Sequence, residues 1–192
     1  RQDAWLWYAM EQDNEAGVEE SAALPAPAPP TFDPQKVTDQ QSALLADAVS
    51  GLQAQDPARV DLYSLGFAGD GSESVFRNEV GYLGQLMSRR LGAGHRHLSL
   101  VNHPDSVDST PLATLTNLRT ALKGMATRMD VAQDVLFVYL TSHGSKDHQL
   151  KVDLDPIPMH QIGASELRQA LDDAGIRWRV LVVSACYSGG FI

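Results

Sequence analysis

Two side chains in this 192-residue sequence have the types and the setting to do covalent chemistry together, His143 and Cys186. Cys186 is the sole cysteine. It ends the run Arg177-Trp178-Arg179-Val180-Leu181-Val182-Val183-Ser184-Ala185-Cys186-Tyr187-Ser188-Gly189-Gly190, in which four apolar residues give way to small residues and a glycine pair. That pattern predicts a buried strand stopped by a tight turn. His143 ends a second apolar run, Asp134-Val135-Leu136-Phe137-Val138-Tyr139-Leu140-Thr141-Ser142-His143-Gly144. If the two strands are parallel neighbours, their ends lie roughly 5 Å apart, within reach of an imidazole for a thiol. A thiolate is a nucleophile, and a nearby imidazole can take its proton and later return it to a leaving amine. Gly144 leaves room for a carbonyl to approach its N–H, and the N–H of Cys186 would be the second donor of an oxyanion hole.

Other chemistries fit less well. The loop Gly66-Phe67-Ala68-Gly69-Asp70-Gly71-Ser72 is glycine-rich, but its glycines do not follow the dinucleotide fingerprint. No Lys-Ser/Thr pair follows it, and Asp70 would repel phosphate. His95, His97, His103 and Asp105 match no zinc spacing and are expected at the surface, so neither a metal nor another cofactor is expected. Ser184 and Ser188 flank the cysteine without forming a serine-hydrolase elbow.

The elements that must position these residues follow from the hydrophobic periodicity. Thr38 with Gln41 predicts a capping box for a helix carrying Leu44, Leu45, Ala48, Val49 and Leu52 and ending near Gly51. Val60 to Phe67 is a predicted strand. The glycine-rich loop then leads to a helix with Phe76, Val80, Leu83, Leu86, Met87 and Leu91 on one face. Leu98 to Asn102 is a second strand. Thr110-Pro111 predicts the start of a helix facing inward with Leu112, Leu115, Leu118, Leu122, Met125 and Met129. Beyond the histidine strand, Gln149 to Leu154 alternates like a small strand outside the main sheet. Ala164 to Ala174 is helical, with Leu167, Ala170 and Leu171 inward and Gly175 as its stop. The order β-α-β-α-β-α-β predicts a parallel sheet with helices on both faces, where ligands bind beyond the carboxyl ends of the strands.

Composition narrows the partners. A net charge of −9 lacks the basic face that nucleic acid requires. With 43% hydrophobic residues, the chain can bury one good core. No apolar run is long enough to span a membrane. Residues 1–34 read as an acidic tail with the stiff linker Leu24-Pro25-Ala26-Pro27-Ala28-Pro29-Pro30, and 35–192 as the domain. Trp5, Trp7 and Tyr8 are the exception in the tail, expected to pack on the domain rather than to mark a membrane edge.

Thr141-Ser142-His143-Gly144 and Ser184-Ala185-Cys186-Tyr187-Ser188-Gly189-Gly190 on successive strands resemble the legumain family of cysteine peptidases (clan CD), its bacterial branch in particular. The resemblance covers roughly Asp61 to Ile192. It implies a caspase-like α/β fold, a three-layer sandwich around a mostly parallel sheet, and a cysteine endopeptidase acting on protein or peptide substrates through a thioester. His143 would be the general base and acid, Cys186 the nucleophile, and Gly144 an oxyanion donor. Phe76-Arg77-Asn78 is similar to the family's Tyr-Arg-His, so Arg77 would line the P1 pocket, with Ser184 also on the substrate side. Two positions depart from the family: Val75 stands where an asparagine orients the histidine, and Tyr187 stands where an acidic residue follows the cysteine.

A non-catalytic interaction module with the same fold, and a transpeptidase or ligase using the same thioester, are the alternatives. The resemblance also implies core elements after Ile192, so the chain is expected to lack the C-terminal part of the catalytic unit, to have that segment as a partner, to leave the apolar Val180-Leu181-Val182-Val183 strand at an open edge, and to show little or no peptidase activity alone. An envelope location is expected from bacterial relatives.

Overall fold

The computed structural model describes residues 31–191. Trp5, Trp7, Tyr8 and the proline run lie outside them.

Four parallel strands form the centre: β1 (Leu62–Ala68), β2 (His97–Val101), β3 (Val135–Thr141) and β6 (Trp178–Ser184), in the order β2-β1-β3-β6. A separate antiparallel pair, β4 (Gln149–Leu150) and β5 (Ile162–Gly163), lies outside this sheet, as the alternating segment predicts. Alternation along the strands divides the core in two. Tyr63, Leu65 and Phe67 of β1, with Leu136, Val138 and Leu140 of β3, join the inner faces of α4 (Leu115–Ala126) and α5 (Ala164–Asp173) in the main core. On the other face, Ala68 and Val101 meet Phe76 and Val80 of α3 (Ser74–Leu91). The result is helix, sheet, helix, in agreement with the expected caspase-like architecture. Each fully buried leucine in these layers contributes roughly 1.5–3 kcal/mol.

Four expectations need correction. Thr38 does not cap a helix. It lies inside α1 (Pro34–Asp39), its hydroxyl donates to Pro34 O, and Asp33 is the cap that accepts from Gln35 N and Lys36 N. The apolar helix is α2 (Gln41–Ser50), which does stop at Gly51. Thr110-Pro111 does not start α4 either. Thr114 does, its Oγ1 accepting from Asn117 N at 3.1 Å, and Leu112 is buried ahead of the helix rather than on its face. On α3, Leu91 points to solvent, because the left-handed Gly92 ends the helix there and the chain turns away from the core.

The fourth concerns β6. Its composition predicts burial, yet Val180, Leu181 and Val182 are exposed. β6 is the edge of the sheet, and beyond it no described element pairs with it. Its α3-facing side opens into an apolar groove with Tyr82, Phe137 and Tyr139.

Candidate active site

β3 and β6 are paired so that Thr141 is opposite Ser184. His143 and Cys186 each follow two residues later, so the two residues leave the sheet side by side at its carboxyl edge. The pairing runs on for one more step, with Ser142 N donating to Ser184 O at 3.3 Å. Past it the two turns touch. A Cβ placed on Gly144 would overlap the carbonyl oxygen of Cys186 and lie 3.3 Å from the Ala185 methyl. Only glycine allows the histidine turn to lie this close to the cysteine turn.

The histidine turn is held from the opposite side by β4 and the residues after it. Lys151 N donates to His143 O at 2.8 Å and Ser145 N to Gln149 O at 3.0 Å, with Gly144 bridged to Leu150 between them. A residue flanked in this way directs its own N–H away from the neighbouring strand. The Gly144 N–H therefore points out of this ladder, as an oxyanion donor must.

The imidazole of His143 is half exposed and meets two side chains from the start of α3, the N-cap Glu73 and Phe76. Its Nε2 is 2.8 Å from Glu73 Oε1, and its ring meets Phe76 edge-on, at 5.1 Å between centroids and 82° between planes. Cys186 is exposed, the state required of a nucleophile. The turn after it carries Tyr187 at φ 57° and leads into a short 3₁₀ turn, Ser188–Phe191. His148, itself at φ 55°, reaches over from the histidine side, its Nδ1 2.9 Å from Tyr187 O and its ring against Gly190.

The glycine-rich loop between β1 and α3 is a structural brace. Its Gly69 and Gly71 exchange backbone hydrogen bonds with Asp153 at 2.8–2.9 Å. Asp70 is buried, accepts from Ser72 N and Ser72 Oγ, and pairs with Lys151 Nζ at 2.8 Å. Burial alone would push this carboxyl up, but the bonds from Lys151 and Ser72 outweigh it and hold Asp70 below the usual carboxylate range. The same hydrogen bond raises the Lys151 ammonium.

Arg77 follows Phe76 on α3, and its guanidinium is taken up by the loop after β2: Nη1 lies 2.8 Å from Asp105 Oδ2 and 2.9 Å from His103 Nδ1. His103 accepts there and from Asp105 N, so its Nε2–H donates to Ser74 Oγ at 3.0 Å. Burial, then the Arg77 charge, lowers its pKa. His103 is thus a buried neutral residue and not the surface histidine expected. His97 also differs from that expectation, lying half-buried between Ser64 Oγ and Ser99 Oγ at 2.8 and 2.9 Å; only His95 is at the surface. Hydrogen bonds account for the placement of both rings.

The register brings His143, Gly144 and Cys186 together. Ser184 ends β6 beside them, exposed, with its carbonyl receiving Ser142 N–H. Arg77 stands one residue beyond the ring that packs on His143, paired to Asp105. Glu73, His148, Lys151 and the brace through Asp70 were not legible as site residues. The one signal for Glu73 is an acidic residue ahead of a helix whose first turn follows a glycine loop.

A search of curated proteins finds no match to the chain. The Peptidase C13 family, the legumain family of cysteine peptidases, matches over residues 112–192, the stretch that holds α4, β3, His143, α5, β6 and Cys186. That match supports a peptidase, and the parallel α/β sheet is consistent with the caspase-like fold.

Proposed function

We propose that the chain is a cysteine endopeptidase that hydrolyses peptide bonds through Cys186 and His143. The observation that carries this reading is the register of β3 and β6, which sets the two residues at equal distances past paired positions. The Gly144 contact with the Cys186 carbonyl supports it.

In this mechanism the Cys186 thiol gives its proton to His143, and Sγ adds to the carbonyl carbon of the scissile peptide. The oxyanion faces the N–H groups of Gly144 and Cys186. As the tetrahedral intermediate collapses, the C–N bond breaks and His143 returns the proton to the departing amine, leaving a thioester. Water then adds to the thioester with its proton taken by His143, and the thiol leaves with that proton. Arg77, with Ser184 on the substrate side, would favour an acidic or amide P1 side chain, which has to compete with Asp105 for the guanidinium.

An electrophilic peptide tests the reading directly. Wild-type protein should be labelled at Cys186 and, joined to the C-terminal segment that the family resemblance implies, should turn over a peptide library. Cys186→Ala should do neither while keeping its circular dichroism. Full labelling of the variant would overturn the assignment, and cleavage mainly after Lys or Arg would overturn the role given to Arg77.

A further inference from the structure

The nitrogen of His143 that faces Glu73 is committed. An ionised carboxylate can only accept, so the 2.8 Å contact puts the ring proton on Nε2 and leaves the lone pair on Nδ1. We infer that Glu73 is a positioning residue that fixes the Nε2–H tautomer of His143, so that Nδ1 is the nitrogen receiving the Cys186 proton. The inference rests on the peptidase reading.

Three features mark the contact as built rather than a chance meeting of surface side chains. First, Glu73 occupies the N-cap position of α3 yet makes no capping hydrogen bond there; its carboxylate is spent on the histidine. Second, Phe76, three residues on and therefore on the same side of the helix, supplies the edge-on ring that limits the imidazole's rotation. The orientation is thus set by a charge and by a shape, both from one helical turn. Third, the carboxylate and the histidine are tied to a common support. Lys151 holds His143 through its backbone N–H, and through its ammonium it holds Asp70, which receives Ser72 N–H immediately before Glu73. The position two residues before Arg77, where the family resemblance calls for an orienting asparagine, is Val75, whose side chain cannot bond a ring nitrogen and is exposed. Glu73 fills that need from two residues earlier.

Because the chain has one cysteine, alkylation by iodoacetamide read by intact mass reports on Cys186 alone. His143→Ala should slow it. Glu73→Ala should slow it about tenfold, since an imidazole free to rotate and to change tautomer is the right base only part of the time. Glu73→Gln keeps the volume and can either accept from or donate to the ring, so it should fall between. Two-bond proton–nitrogen spectra, with His143 assigned by its loss in His143→Ala, should show Nε2–H in wild type and an added Nδ1–H form in Glu73→Gln. A wild-type Nδ1–H tautomer overturns the inference. So do wild-type rates in both Glu73 variants alongside a slow His143→Ala, which would leave the dyad standing. Equal rates in wild type and His143→Ala would instead remove the peptidase reading, and the role of Glu73 with it. Should Glu73→Ala fail to fold, Glu73→Gln and the wild-type tautomer decide.

Discussion

His148 and Tyr187, the two non-glycine residues with positive φ among the described residues, are hydrogen-bonded to each other, ring Nδ1 to carbonyl oxygen at 2.9 Å. Left-handed backbone at such residues costs on the order of 1 kcal/mol each and survives only where the surroundings hold it. Here both lie on the turns that carry the histidine and the cysteine. His148→Ala should therefore destabilise the protein by only about 1 kcal/mol, the net worth of one hydrogen bond, but should release the turn after Cys186. Hydrogen exchange of residues 187–190 should rise in the variant while the strands keep their protection; unchanged exchange would show that the contact holds nothing.

Gly144→Ala tests the contact between the two turns. The new methyl would collide with the Cys186 carbonyl, so one turn has to move, at a cost of about 1–3 kcal/mol. Urea unfolding should report that loss, and alkylation of Cys186 should slow together with it. A variant of wild-type stability and reactivity would mean that the turns are further apart than the structure places them.

The brace predicts a third outcome. Lys151→Met leaves Asp70 buried without its cation. Breaking a fully buried pair costs about 3–5 kcal/mol; since Lys151 is 40% exposed, about 2 kcal/mol is expected here. Asp70→Asn with Lys151→Met should recover part of that loss in a double-mutant cycle measured by urea unfolding, and strict additivity would contradict the pairing.

His97 gives the pH dependence. Burial lowers its pKa from 6.5 to about 4, so the folded state keeps it neutral where the unfolded chain would bind a proton. Its contribution is present above pH 6.5 and is lost as the pH falls towards 4, a change of about 3 kcal/mol. His97→Gln, which can still meet Ser64 and Ser99, should flatten the stability profile across that window. A profile as steep as wild type would place the titration elsewhere.

Among the described residues β6 leaves an open apolar edge, which is a solubility risk because such an edge is a template for association. Val182→Lys, at a position already exposed, should reduce light scattering of the 192-residue protein with little change in its unfolding midpoint. Equal scattering would show that β6 is not the surface through which molecules associate.

Much of this was legible because it is local. Alternation and helical spacing located β1, β2, β3, α3 and α5 to within about two residues, and paired strand ends were enough to set His143 beside Cys186. The apolar run of β6 suggests burial because such a run reports the affinity of a strand for cover; the expectation of an open edge at Val180–Val183 is the one that its exposure matches. Thr38 and Thr110 were misread as caps because other capping side chains, Asp33 and Thr114, stood near the same helix starts, and the choice between them fell to tertiary contacts such as Gln41 Oε1 with Leu112 N at 2.7 Å. Glu73 and His148 meet their partners across 70 and 39 residues, a separation at which no local pattern speaks.

Lys151 gives the site a mechanical property. Its main chain fastens the turn of His143, and its side chain fastens the loop that delivers Glu73, so the imidazole and the carboxylate share one abutment. The distance between them is then a single variable and not the sum of two independent loop motions. When the segment 149–153 opens, both must lose their places in the same event, and reactivity at Cys186 should disappear as one cooperative step before the sheet melts.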